Sequence, residues 1–238
     1  MSGFTPVAVA FATSEAAPSD LARRLLEHLE AEHGLDPNAT SLARLIFDAD
    51  GIEWIDTESI ATGDTLESSL ISERWIRASG AVKIGEWFHS AEAYVFPCSP
   101  SDRNPCCEIK LSSRAYEAVY DFQARGEGGF NDAAKRGLLR LSLGAADAID
   151  ALAFSVRFDD GELRPLEIRE VLASLQAPEM RLGGNRPGLL TGVREERLSL
   201  DEVRAVWRSG EHVYRTTSGY TVLDLLQPGR TQSLENSA

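Results

Sequence analysis

The sequence has no apolar run approaching the roughly 20 residues that cross a bilayer as a helix, so no transmembrane helix is expected. Its first twenty residues, MSGFTPVAVAFATSEAAPSD, have no basic segment ahead of an apolar core. They alternate too much with polar residues for a signal peptide, and a cytoplasmic setting is expected. Cysteine is scarce: Cys98, Cys106 and Cys107 are odd in number and two are adjacent, so no disulfide framework and reduced thiols are expected. Basic charge is also short, with 24 Lys and Arg against 37 Asp and Glu and a net charge of −13. That balance opposes the phosphate neutralisation on which nucleic-acid binding runs, so neither nucleic acid nor membrane is an expected direct partner. Only three of the cations are lysines, Lys83, Lys110 and Lys135, an arginine bias that suits a GC-rich bacterial genome. No catalytic or cofactor-binding signature is present.

What is there is the composition of a folded chain: 238 residues, 43 % hydrophobic and 26 % charged, enough for a sizeable core. Charge is unevenly spread. Residues 1–80 hold 14 acidic and 5 basic side chains, a net of −9. Asp48, Asp50, Glu53, Asp56, Glu58, Asp64, Glu67 and Glu73 fall in one stretch with no Lys or Arg. Such a stretch repels anions and steers basic partners, although a solvated face kept soluble by charge needs no partner at all.

The pattern predicts a strand over 4–11 and a helix from Pro18 to a stop at Gly34, with Leu21, Leu25, Leu26 and Leu29 on one face. Residues 41–56 read as a hairpin turning at Ala49-Asp50-Gly51. Strands follow over 74–78 and 82–88, joined at Ser79-Gly80, then over 91–96 and 107–111. Helical spacing covers 113–125, GEGG breaks the chain at 126–129, and a second long helix spans about 132–149. Residues 152–158 and 162–168 flank Asp159-Asp160-Gly161 as another hairpin signal, so each long helix would precede a β-β pair, as in a duplicated α-β-β unit. Ser199 and Glu202 have capping-box spacing, and 212–216 with 220–226 would pair across Ser218-Gly219. The fold class expected is α+β: a mostly antiparallel sheet with the two long helices packed on one face. Residues 1–182 would form the main domain, 183–226 a helix-hairpin subregion packed on it, and 227–238 a disordered tail.

Candidate chemistry is thin. Cys98, Cys106, Cys107 and His89 carry the right atoms for zinc, but the spacing is C-x₇-C-C, and neighbours on a strand point to opposite faces. The same thiols, paired with His89 or His212, lack the base or helix start that makes a nucleophile. His28 and His33 are five apart, so dipole interaction or exposure near the helix end is expected of them. Asp48, Asp50 and Gly51 do not complete a calcium loop, and GGNRPG at 183–188 is not a phosphate loop. No metal or cofactor is expected.

Trp54 lies inside the acidic segment and Trp75 directly follows Glu73 and Arg74, with Trp87 and Phe88 in the next strand run. Tryptophan beside carboxylates is a combination interfaces use, while core packing is the commoner fate of a strand tryptophan. The candidate partner-binding set is therefore Asp48, Asp50, Glu53, Trp54, Asp56, Glu58, Asp64, Glu67, Glu73 and Trp75. The expected function is an acidic binding protein that neutralises a basic protein partner, concretely an immunity protein or antitoxin against a bacterial toxin. Two alternatives stand beside it: an enzyme whose site is assembled from Glu86, His89, Glu92 and Glu108, and an assembly accessory of a phage or secretion system.

Overall fold

The computed structural model describes residues 7–13, 16–47, 54–60, 75–97, 105–112, 115, 120–121, 129–130, 132–158, 163, 165–176, 190–207 and 212–225. The strands are β1 (Val7–Ala12), β2 (Ser41–Phe47), β3 (Trp54–Ser59), β4 (Ile76–Ile84), β5 (Trp87–Pro97), β6 (Pro105–Leu111), β7 (Tyr120–Asp121), β8 (Gly129–Phe130), β9 (Ala153–Phe158), β10 (Leu190–Arg194), β11 (Val213–Arg215) and β12 (Tyr220–Asp224). The helices are α1 (Pro18–His33), α2 (Asp132–Ala148), α3 (Ile168–Gln176) and α4 (Leu200–Val206). Ten strands form one sheet in the order β11-β12-β10-β9-β1-β6-β5-β4-β2-β3, and β7 pairs with β8 separately. Every pairing in the large sheet is antiparallel, so the α+β class holds.

β1 shows how the sequence builds the core. Its six residues are all buried, with large and small side chains alternating. Val7, Val9 and Phe11 pack into one cluster with Leu21, Leu25 and Leu29 of α1 and Leu138, Leu141 and Ala145 of α2. Ala10 and Ala12 join the other cluster, with Val171 and Leu175 of α3 and Val203 of α4. Period-2 alternation thus sends the two sets to opposite faces. α1 and α2 share the first cluster and the shorter α3 and α4 the second, because β1 is central and must be covered on both sides.

Three further expectations change. Ser79-Gly80 is no turn: Gly80 sits within β4 opposite Ala91. A Cβ there would lie 2.6 Å from Leu35 Cδ1, so this glycine serves close packing. The turn comes at Gly85-Glu86, where Gly85 has φ +62°. Ile168, expected to end a strand paired with β9, begins α3 instead, while residues 153–156 of β9 pair with β1 and β10. The Asp159-Asp160-Gly161 turn of the expected duplicated unit lies outside the described residues. The helix expected over 113–125 is interrupted by β7, which pairs Tyr120 with Phe130. Residues 190–224 extend the main sheet through the β9–β10 pairing. The turn at 49–51 and the tail from 227 lie outside the described residues.

Candidate functional site: an acidic outer strand

The acidic stretch meets the structure at β3, the outermost strand at one end of the sheet. Among the described residues β3 pairs with β2 alone. Asp56 and Glu58 are both exposed and, two residues apart on a strand, share one face. Glu58 stands opposite Arg44 of β2 and accepts a charge-assisted hydrogen bond from its guanidinium. Asp56 accepts from the backbone N–H of Thr57 at 2.7 Å. Both side chains are exposed, and surface carboxylates attract cations across solvent.

Trp54 opens β3, opposite Phe47, at a bulge. Trp75 precedes β4 and packs, partly buried, against Leu45, Tyr94, Phe96 and Cys106, so its indole contributes to a small core cluster. Asp48, Asp50, Glu53, Asp64, Glu67 and Glu73 lie outside the described residues. The structure thus brings Trp54, Asp56 and Glu58 together on one strand and sets Trp75 inward.

The four residues of the enzyme alternative are not gathered. Ala91, Ala93 and Val95 of β5 face the α1–α2 cluster, and His89 shares their parity. Glu92 alternates to the opposite face with Tyr94 and Phe96. Glu108 follows it there, since Cys107 and Ile109 take the α1–α2 side. The sheet itself therefore stands between His89 and the two carboxylates. His89 is buried with both ring nitrogens unpartnered, and desolvation holds its pKa below the usual histidine value. Glu86 sits exposed in the β4–β5 turn.

On the face away from α1 and α2, alternating residues of the central strands form a polar seam that sequence reasoning missed. Arg157 of β9 donates to Glu108 at 3.2 Å, reaching across β1 over its small Ala8 and Ala10. The Lys110 ammonium lies 5.8 Å from the Tyr94 ring centre, and the Tyr94 hydroxyl donates to Glu92 at 2.7 Å. Arg77 approaches Glu92 at 3.8 Å. The signal was the period-2 placement of Glu108 and Lys110 within an otherwise apolar strand, which marks one polar face.

The remaining histidines and cysteines have structural settings. His33, expected at an exposed helix end, is buried, with Nδ1 3.1 Å from the Lys83 carbonyl. His28 rests against Gly144 of α2 and lies 5.4 Å from the His33 ring. His212 is buried, its Nδ1 3.1 Å from the Asp224 carbonyl. Cys107 is a free, fully buried thiol, and burial pushes its pKa up to about 12, the reverse of what a nucleophile requires. Cys106 is disulfide-bonded, which corrects the expectation of reduced thiols. Among the described residues no group of three His, Cys, Asp or Glu is placed to hold a metal ion.

No protein-family model, curated protein or solved structure matches the chain. The functional reading accordingly rests on the chain's own geometry.

Proposed function

We propose that this chain is an acidic binding protein that neutralises a basic protein partner, concretely an immunity protein or antitoxin acting on a bacterial toxin. The observation that carries the reading is β3: the outermost strand of the sheet among the described residues, with Asp56 and Glu58 exposed within a stretch free of Lys and Arg. An outermost strand offers backbone hydrogen bonds to an incoming extended segment, and the carboxylates select a basic one. The bland reading of the same feature is a charged edge that keeps sheets from pairing with one another. The two differ in a measurable way, because only the first predicts a stoichiometric partner. Nucleic acid and membrane are not proposed as direct partners, since the same negative field repels phosphate.

The disulfide at Cys106 weighs against the expected cytoplasmic setting, because such bonds persist chiefly in oxidising compartments. Among the described residues no helix is long and apolar enough to cross a membrane. The test of function is affinity capture with the purified chain, eluted by a salt gradient, beside the double variant D56K/E58K. A basic protein retained at 1:1 by the wild type, released by moderate salt and lost by the variant supports the proposal. Retention unchanged by salt or by the variant counts against it.

A further inference from the structure

Two histidines fasten the C-terminal end of α1 to its neighbours. The Cε1–Nε2 edge of His28 lies against Gly144 of α2, where a Cβ would stand 2.5 Å from Cε1 and 2.7 Å from Nε2. The ring fills the space that any other residue at 144 would use. His33, at 3 % exposure, has its ring centre 5.4 Å from that of His28, edge to face. Its Nδ1 is 3.1 Å from the Lys83 carbonyl of β4. A carbonyl only accepts, so Nδ1 carries the proton and Nε2 the lone pair. The Nε2 atoms of both rings are buried, and neither has a hydrogen-bond partner among the described residues. Leu29 and Leu35 complete the attachment: both are buried, the Leu35 N–H donates to the Leu29 carbonyl at 3.1 Å, and Leu35 packs on Gly80 of β4.

This arrangement suits neutral imidazoles. A proton on either Nε2 creates a buried donor with nothing to receive it. A proton on both sets two like charges about 5.4 Å apart. Burial is the main influence that disfavours protonation of either ring, and the surrounding charges do not reverse it. On α1, Glu32 favours the protonated rings, but it is exposed to water. On α2, Arg140 opposes a charge on His33, and Asp147, beyond Gly144, is engaged with Ser218 and Arg194. On β4, Lys83 offers its carbonyl while its side chain is exposed. β5 adds His89 to this side of the sheet, also buried and unpartnered. Outward movement of the helix end is what gives both Nε2–H groups water.

We infer that the end of α1 is a pH-sensitive latch: protonation of His28 and His33 releases it from α2 and β4 while the sheet stays folded. Release is local because Leu21 and Leu25, earlier in α1, pack with Val7 and Val9 of β1 independently of the two imidazoles. It uncovers Leu29 and Leu35, so acid presents an apolar patch that neutral pH conceals. The latch stands apart from the proposed binding function, since it belongs to the purified chain alone.

The test is hydrogen exchange with mass spectrometry on the full chain at pH 7.5 and pH 5.5, corrected for the ordinary pH dependence of amide exchange. Residues 28–35 should lose protection about tenfold or more, since each proton taken up on opening is worth up to about tenfold per pH unit. β1, β6 and β9 should stay protected. Unchanged protection at 28–35 overturns the inference, as does loss of β1 protection in the same step. The variant H28Q/H33N has no imidazole to protonate there, and the amide of His33→Asn keeps a donor for the Lys83 carbonyl. It should hold residues 28–35 equally protected at both pH values, and a folded variant that still opens in acid overturns the latch. Should the variant not fold, proton NMR of the wild type decides. The His28 and His33 Cε1–H signals should move to imidazolium positions while core resonances remain native. Rings that stay neutral until the whole chain unfolds overturn the inference.

Discussion

Three histidines in the α1 half of the molecule should make the fold acid-sensitive in a defined window. His28, His33 and His89 each have a pKa held below 6.5, burial being the largest cause. Well above pH 6.5, from about pH 7.5, these imidazoles are neutral in both folded and unfolded chains, and their contribution to stability does not change. As pH falls below 6.5 the unfolded chain takes up protons that the folded chain refuses, so stability declines. The decline ends once pH passes the folded pKa values. The limiting slope for one such group is about 1.4 kcal/mol per pH unit. Folded domains hold only about 5–15 kcal/mol, so a decline of this kind is measurable. Ordinary carboxylates titrate near pH 4, below this window, which keeps the two effects apart. The assay is urea unfolding at half-unit steps from pH 8 to pH 5, with His89→Leu beside the wild type. Leucine has a similar volume and buries no unpartnered nitrogen, so H89L should be about 1–3 kcal/mol more stable at pH 8. Its loss of stability with acid should be shallower than that of the wild type. Stability that is flat between pH 7 and pH 5.5, or an H89L slope equal to wild type, would refute the reasoning.

Other consequences can be checked on the purified chain. Gly192 faces Phe154 across the β9–β10 pair, and a Cβ there would lie 2.2 Å from the Phe154 ring; Gly192→Ala should cost about 1–3 kcal/mol or more by overpacking, read from urea unfolding midpoints. The Tyr220 hydroxyl donates to the Ala151 carbonyl at 2.6 Å. Tyr220→Phe should lose about 1–2 kcal/mol, lowering Tm by a few degrees in calorimetry. Thiol titration should find no reactive cysteine in the native protein, one after denaturation without reductant, and three after reduction; three without reductant would contradict the bond at Cys106. Ser199→Ala removes the cap of α4, whose hydroxyl accepts from Glu202 N–H, and should cost about 1 kcal/mol by the same unfolding assay.

Local chemistry was legible in the sequence where one residue decides the backbone. Gly34 ends α1 in the left-handed conformation its position suggested, with φ 64°. Ser199 and Glu202 form the capping box their spacing foretold, and Gly219 turns β11 into β12 at φ 84°. What failed was non-local. Gly80 carries the same letter as Gly85, but only the arrival of Leu35 from a distant loop explains why it lies inside a strand. Ile168 reads as the end of a hairpin strand, yet it begins α3, and β10, from beyond residue 189, pairs with residues 153–156 of β9. The candidate site divides in the same way. Asp56 and Glu58 are exposed because an outermost strand needs no second partner. Trp75, by contrast, turns inward because Tyr94 and Phe96 come to meet it from β5. The polar seam was invisible in one dimension because Arg157 and Glu108 are 49 residues apart.

The central claim is that the acidic outer strand recruits a basic protein. Its most direct test is capture from the source organism's lysate on immobilised wild type and on D56K/E58K, with salt-gradient elution and mass spectrometric identification. The account predicts one stoichiometric basic protein that moderate salt releases from the wild type and that the variant fails to hold. A bare wild-type column, or a partner that both columns retain equally, would contradict it and leave Asp56 and Glu58 as charges that keep an outer strand soluble.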